Sequence, residues 1–491
     1  MRSPVRPGPE GGTTMAKRQA PTPETSDAPP AGDAGWMPSI DAGKSVKYTA
    51  IVQSMEEAIA SGRLAEGARL PPHRELAARL GVTVATVTKA IADLARRGLV
   101  DTRRGSGTFV VGLAPAEAPP PAASDAPLDL AVNRPLAALA APFLKDALLA
   151  LTGAEAGDLF GYEIVGGNAA NRATGIAWLA ERGIVAGENE VLLTQGGNDG
   201  LLAALQAICR PGEAVACEAS NYSGIRRLAQ ALGIVLVPVA TDRKGMSPEG
   251  LEQACRTQAI KAVLCTPVTH NPTAVSMDLA RRAEIAGIVR RRDLVLIEDD
   301  IYGHLAGEAG EPFFCDMPER TIHVTSMSKC VSAGLRVGFL AVPRTLVGRV
   351  RDALYTTNWT APSLHAALAA RLVAGGAARD LVEAQRAEAL VRVARARQIF
   401  GPALDLEADR ASYHIWLRLP DHLRADEVSA ELMRAGILVS PAHHFSIAGT
   451  AAPNALRISL GAVADRGLLE QALTEIARRI VGVQMAVGAI A

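Results

Sequence analysis

The sequence predicts a multidomain chain: a mainly α helix-turn-helix with a β wing, then an α/β domain with a largely parallel sheet, then a smaller α+β domain. Three observations carry this. Apolar residues recur at helical spacing from Tyr48 to Leu94, and a strand, a glycine turn and a second strand follow. A Pro/Ala stretch comes next, and beyond Leu128 short apolar strands alternate with amphipathic helices. At 491 residues with 48% apolar side chains, the chain exceeds one core and can fill two or three.

Residues 1–42 are rich in Pro, Gly, Ala, Ser and Thr without apolar periodicity, so a disordered tail is expected there; Met15 offers a second candidate start. The beginning lacks the apolar run of a signal peptide, and no predominantly apolar stretch reaches membrane-spanning length. A cytoplasmic protein with no membrane partner is the expectation. Six scattered cysteines, with no C-x-x-C pair, point to reduced core thiols and to no metal site.

The segment 43–112 reads as a DNA-binding domain. Tyr48, Ile51, Val52, Met55 and Ile59 share one helical face, ended by Ser61-Gly62; His73 to Leu80 forms a short second helix closed by Gly81. Thr83 caps a third helix whose apolar stripe is Val84, Val87, Ile91 and Leu94, leaving Ala85, Thr86 and Lys89 outward for a major groove. Arg103 and Arg104 flank the Gly105-Ser106-Gly107 turn, where a wing meets phosphates. Overall charge is silent, since 51 basic residues cancel 51 acidic ones. Between Lys44 and Arg104, however, eleven Lys/Arg face six Asp/Glu, an asymmetry expected of a nucleic-acid module.

Residues 113–127 form a Pro/Ala linker, semi-extended by composition. Segment 128–370 then carries strand candidates at 191–194, 214–217, 234–239, 262–265, 294–297, 323–325 and 337–342, and segment 371–491 reads as the smaller domain.

Several strand ends carry chemistry. Gly196-Gly197-Asn198 opens a helix after a strand, where bare amides bind phosphate. Tyr222 offers a flat ring; Asn271, Asp299 and Tyr302 follow two further strands. Ser326-Met327-Ser328-Lys329 ends another, with Arg336 seven residues on, which suits a Schiff-base lysine beside a phosphorylated cofactor.

Two resemblances organise these pieces. Residues Ala58 to Leu64, Gly67 to Pro71, Arg74 to Ala77, Leu80 to Thr83, Thr86-Val87 and Gly105 to Val110 resemble the winged-helix domain of GntR-type bacterial regulators. That resemblance implies DNA contacts from Arg74, Thr86 and Gly107, so the DNA-facing set is Arg74, Thr83, Thr86, Lys89, Arg103, Arg104 and Gly107. The family usually has Ser-Arg where this chain has Thr83-Val84, which implies an altered operator.

Over roughly residues 128–485, the order and intervals of the strand-end motifs resemble pyridoxal-phosphate enzymes of the aspartate aminotransferase fold. The resemblance implies that Lys329 forms the Schiff base with pyridoxal 5′-phosphate and that Asp299 salt-bridges the pyridine nitrogen. It implies that Asn271 and Tyr302 bond the ring hydroxyl, that Tyr222 stacks, and that Gly196, Gly197, Asn198, Ser326 and Arg336 hold the phosphate. Tyr162 matches the tyrosine that reaches the phosphate across a homodimer interface, and Arg457 the arginine that clamps a substrate carboxylate. Departures at Glu163 to Gly166 and at Ala274 alter loop shape near the substrate.

Together, head, linker and body resemble the MocR subgroup of GntR-type regulators. The resemblance implies a homodimeric transcription factor that binds an operator in double-stranded DNA and senses an amino acid or related amine through an aldimine at Lys329. The alternative is a working aminotransferase with an attached DNA-binding head; the sequence leaves both open, along with effector, operator and direction of control.

Overall fold

The structure, a computed structural model, describes residues 47–488 apart from 62, 66, 97–98, 104–106, 111–126, 153–158, 308–309, 403 and 448–449. The expected tail, the linker up to Ala126 and Arg104 therefore lie outside the described residues, as does the side chain of Arg103. The chain divides into two compact units, residues 1–124 and 125–491.

In the first unit, α1 (Lys47–Ala60), α2 (His73–Leu80) and α3 (Val84–Arg96) enclose a core that includes Ile51, Met55, Leu76, Val87 and Leu94. Thr83 Oγ1 accepts the Thr86 N–H at 3.2 Å, the N-cap expected from its hydroxyl. Strands β1 (Arg69–Leu70), β2 (Val100–Arg103) and β3 (Gly107–Val110) form an antiparallel sheet in the order β1-β3-β2, so the wing is a hairpin closing at Arg103–Gly107. Val84 departs from the expected stripe. It is 44% exposed, because the first turn of α3 projects beyond the core that Val87 and Leu94 fill.

The second unit is built on a seven-stranded sheet of β5 (Val191–Thr194), β6 (Ala214–Glu218), β7 (Val235–Val239), β10 (Ile260–Cys265), β11 (Val295–Asp299), β12 (Thr321–Ser326) and β13 (Gly338–Ala341). Its order is β5-β13-β12-β11-β10-β6-β7. Five strands run parallel from β12 to β7, and their interior positions are almost wholly apolar because helices cover both faces. Strand β13 is antiparallel to both of its neighbours. A short hairpin, β8 (Thr241–Asp242) and β9 (Gly245–Met246), lies outside this sheet.

The C-terminal part packs helices 377–400 and 466–488 on an antiparallel sheet of β14 (Asp405–Glu407), β15 (His414–Arg418), β18 (Ala455–Ser459) and β17 (Ser440–Pro441). One assignment changes here. Sequence places Leu128 with the large domain, but β4 (Leu128–Asp129) pairs in parallel with β16 (Ile437–Leu438), and Leu130 is fully buried in the C-terminal core. Burying that leucine contributes about 2 kcal/mol, which outweighs proximity in sequence.

Candidate functional site

The parallel strands end along one edge of the large sheet, where an open α/β sheet builds its ligand crevice. A cavity of about 150 Å³ opens there, lined by Gly197, Asn198, Tyr222, Asn271, Asp299, Tyr302, Ser326, Ser328, Lys329 and Arg336. Residues up to 139 positions apart in sequence thus share one chamber.

On one side, helix 197–208 begins after Gly196, whose φ of +85° favours glycine. Arg336 is exposed and donates to Gln195 O at 3.2 Å, leaving further donors of its fork toward the cavity. Ser326 Oγ is engaged with Val337 O and the Ser328 N–H, each at 3.1 Å. Ser328 Oγ is buried without a partner, and sequence reasoning omitted this residue although it stands in the lysine motif itself.

Asp299 lines the cavity between two further acids that do not. Glu298, Asp299 and Asp300 are all buried. Glu298 takes His323 Nδ1 at 2.9 Å, and Asp300 takes Arg182 Nε at 3.1 Å. Asp299 has no cationic partner among the described residues, and its Oδ1 is unpartnered. Burial, reinforced by the charges of Asp300 and Glu218, raises its carboxyl to about 7. Burial likewise brings the Lys329 ammonium down to about 8, with Arg457 and Arg336 adding to the shift and Asp299 opposing it.

The opposite wall was only partly legible. Tyr302 Oη accepts from Asn133 Nδ2 at 2.9 Å; that same nitrogen lies 2.8 Å from His414 Nδ1, and Lys329 Nζ donates to Asn133 O at 2.5 Å. Arg457 is buried on β18, with Nη1 donating to Asn271 Oδ1 at 2.8 Å and Nη2 to Ala131 O, and its guanidinium stands 4.6 Å from the Phe445 ring. Asn133 and His414 carry no motif that sequence could flag, and they meet across 281 positions. Tyr162 is not in the cavity: it is fully exposed on a loop beside Trp359.

The comparisons with known proteins match this architecture. The aminotransferase class I and II family matches residues 126–476, and the gntR family of bacterial regulatory proteins matches residues 47–110. The HTH-type transcriptional regulator YdeF of Bacillus subtilis is 30% identical over 446 residues, covering 90% of this chain and 96% of its own. The chain belongs to the MocR subgroup of GntR-type transcriptional regulators.

Other regulators of this type are similar over nearly their full length. The vitamin B6 salvage pathway repressor PtsJ of Salmonella typhimurium is 28% identical over 84% of this chain and 94% of its own. TauR of Rhodobacter capsulatus is 28% identical over 87% and 95%. Among solved structures, a kynurenine aminotransferase of Pyrococcus horikoshii superposes with a TM-score of 0.67 at 20% identity, covering 73% of this chain and 92% of that one. At that identity the likeness establishes the aminotransferase fold.

In the gntR-family head, Arg74 and Thr83 are exposed. Thr83 Oγ1 and Thr86 Oγ1 lie 2.8 Å apart, so their hydroxyls satisfy each other. Lys89 is exposed with Nζ 4.3 Å from the Tyr48 ring centre, a cation–π contact that a phosphate would have to draw it away from. Gly107 has φ +114°, and a Cβ there would come within 2.8 Å of Arg69 Nε. Arg69, which sequence reasoning passed over, therefore belongs to the wing surface.

Proposed function

We propose that this regulator holds pyridoxal 5′-phosphate at Lys329 and uses it to sense a small carboxylate-bearing amine, adjusting the binding of its heads to operator DNA in the cytoplasm. The observation that carries the reading is the pairing, in one cavity, of a lysine whose ammonium titrates near 8 with a buried carboxyl that has no cationic partner. A protonated pyridine nitrogen would satisfy Asp299, and the residues present fit the rest of the group.

Bound there, pyridoxal 5′-phosphate supplies an aldehyde that condenses with amines and a ring that withdraws electrons. The chain supplies the surroundings. Gly196, Gly197 and Asn198 at the helix N-terminus, with Ser326, Ser328 and Arg336, would hold the phosphate. Asn271 and Tyr302 would orient the ring hydroxyl, and Tyr222 would cover a ring face. Lys329, partly neutral near physiological pH, can attack a carbonyl and can move a proton. Arg457 would take the effector carboxylate as a bidentate pair.

We also infer a homodimer, in which Tyr162 serves the partner's cavity. All four exposed aromatic side chains among the described residues, Phe160, Tyr162, Tyr355 and Trp359, belong to the loop 160–164 and the segment 355–359 on which it rests. Trp359 holds a φ of +66°, a strained backbone for an L residue, and donates Nε1–H to Glu163 O at 2.7 Å.

Spectroscopy and DNA binding test the reading together. Purified protein mixed with pyridoxal 5′-phosphate should gain a visible absorption that borohydride fixes covalently to the Lys329 peptide and that Lys329→Ala lacks. Its affinity for duplexes selected from a random pool should then change when amino acids are added. A cofactor-free protein, or DNA affinity indifferent to every amine, would overturn it.

A further inference from the structure

The chain emerging from the Pro/Ala stretch enters the second unit through the ligand site itself. It is first stitched to the C-terminal domain: Leu128 N–H donates to Gly436 O at 2.6 Å, Leu130 N–H to Leu438 O at 2.9 Å, and Leu130 O accepts from Ser459 N–H at 2.8 Å. Asp129 Oδ1 then accepts the N–H groups of Ala131 (2.9 Å) and Val132 (3.3 Å), which turns the chain. The carbonyls that follow meet two of the site's cations, Ala131 O on Arg457 Nη2 and Asn133 O on Lys329 Nζ.

Lys329 and Arg457 are therefore already engaged. A guanidinium offers a carboxylate two bidentate edges, Nη1–Nη2 and Nε–Nη2, and each includes the nitrogen that Ala131 O holds. Nη1 is committed to Asn271, while Nε is buried with no partner. A carboxylate arriving at Arg457 has to share or displace the Ala131 carbonyl, and a Lys329 nitrogen engaged elsewhere no longer donates to Asn133. Ala131 O keeps a second donor in Ser440 Oγ at 3.3 Å, but the Asn133 carbonyl, part-buried on Lys329 Nζ, must find another donor once the lysine nitrogen is engaged, so the backbone at Asn133 has to shift. Behind it, the fastening to β16 is only two residue pairs long.

We propose that residues 128–133 form a strap whose release reports occupancy of the site to the linker: a ligand on Lys329 and Arg457 loosens β4 from β16 and adds these six residues to the connection that leads to the DNA-binding unit. Six released residues add up to about 20 Å of extended chain, enough to alter which spacings of half-sites two tethered heads can reach together. The proposal rests on the ligand-sensing reading above and assigns its transmission to one segment.

The test uses the full-length protein, unloaded, loaded with pyridoxal 5′-phosphate, and loaded in the presence of a mixture of the twenty amino acids. Amide exchange of the peptide 128–134, and of Ser459, whose N–H Leu130 O accepts, should quicken at least tenfold on loading, while β15 stays protected. Leu128→Pro removes the N–H that Gly436 accepts, and should exchange fast even unloaded. It should keep the absorption of the loaded protein and lose the ligand-dependent change in DNA affinity to within twofold. Asp129→Asn, which keeps a side-chain acceptor for the turn while Asp129→Ala removes it, controls for the charge that Asp129 sets near Arg457; Asp129→Ala should do the same as Leu128→Pro, Asp129→Asn should not, and the pair stands in should the proline variant fail to fold. Unchanged exchange at 128–134 in a protein whose absorption proves loading would sink the strap alone, as would retention of the full DNA response by Leu128→Pro or Asp129→Ala. Absence of the absorption would instead defeat the cofactor reading, and the strap with it.

Discussion

Arg457 Nη1 stands 2.8 Å from Asn271 Oδ1, a bond joining the C-terminal domain to the loop that follows β10, on the wall opposite Asp299. One asparagine thereby serves both the proposed cofactor hydroxyl and the proposed carboxylate clamp. Replacing Arg457 by Leu should weaken carboxylate-bearing amines by about 2–4 kcal/mol, the worth of a buried charge-assisted pair. Titration of the visible absorption would read this as a 30- to 1000-fold higher apparent Kd, with binding of pyridoxal 5′-phosphate itself changed less than threefold. Equal loss of both would remove Arg457 from the effector side.

The titration of Lys329 sets the pace of cofactor capture. Because burial and its cationic neighbours bring the ammonium down to about 8, the neutral, nucleophilic form grows as pH rises through that value. The rate of visible-band formation should climb roughly tenfold per unit from pH 6 to 7.5 and level off above about 8.5. Asp299→Asn, which deletes the opposing negative charge, should move the midpoint lower and weaken cofactor binding by about tenfold, the cost of one charge-assisted bond. A midpoint still near 10.5 in wild type would contradict the buried environment.

Acid should unfold the second unit early. His270, His304 and His414 are buried, and burial brings them down to about 4, about 3 and about 3 respectively. Their folded values lie below the unfolded value near 6.5, so as pH falls through 6.5 the unfolded chain takes up protons that the folded chain refuses. Stability is thus complete above about 6.5 and is lost progressively toward 4, by on the order of a few kcal/mol per histidine. Thermal melts from pH 7.5 to 4.5 should show it, with a shallower slope in His304→Gln. A flat profile would mean that these imidazoles become charged in place.

Association should depend on the aromatic loop. Tyr162→Glu or Trp359→Ala should shift sedimentation toward the monomer by at least tenfold in dissociation constant, since buried aromatic anchors carry about 1.5 kcal/mol or more each at interfaces. Tyr162→Glu should also weaken cofactor retention if the tyrosine serves the partner's cavity. Sedimentation that ignores both changes would move the interface elsewhere.

The features legible in sequence were those whose physics is local. Val191 to Thr194 and Ala262 to Cys265 are buried on both faces, so their apolar runs announce them as strands; Thr83 caps its helix through a side chain a few atoms from its own backbone. The cavity floor followed because parallel strands deliver their ends to one edge, bringing Gly196, Asp299 and Lys329 together. Asn133 could not be read, since it is defined by contacts to Tyr302, His414 and Lys329, which lie 169 to 281 positions away. Strand β4 escaped for a related reason: two residues carry no period, and only pairing with Ile437–Leu438 makes them a strand. Lys89 was read as free for DNA because the period places it outward, but spacing says nothing of the Tyr48 ring that lies in reach.

The placement of the tryptophans has an optical consequence. Trp178 and Trp416 are wholly enclosed, whereas Trp359 is 39% exposed where the segment 355–359 meets the loop 160–164. Among the described residues, iodide can therefore reach one indole, and that indole stands where the proposed second copy would cover it. On the proposed dimer, loss of iodide quenching at Trp359 would make an unlabelled fluorescent gauge of self-association.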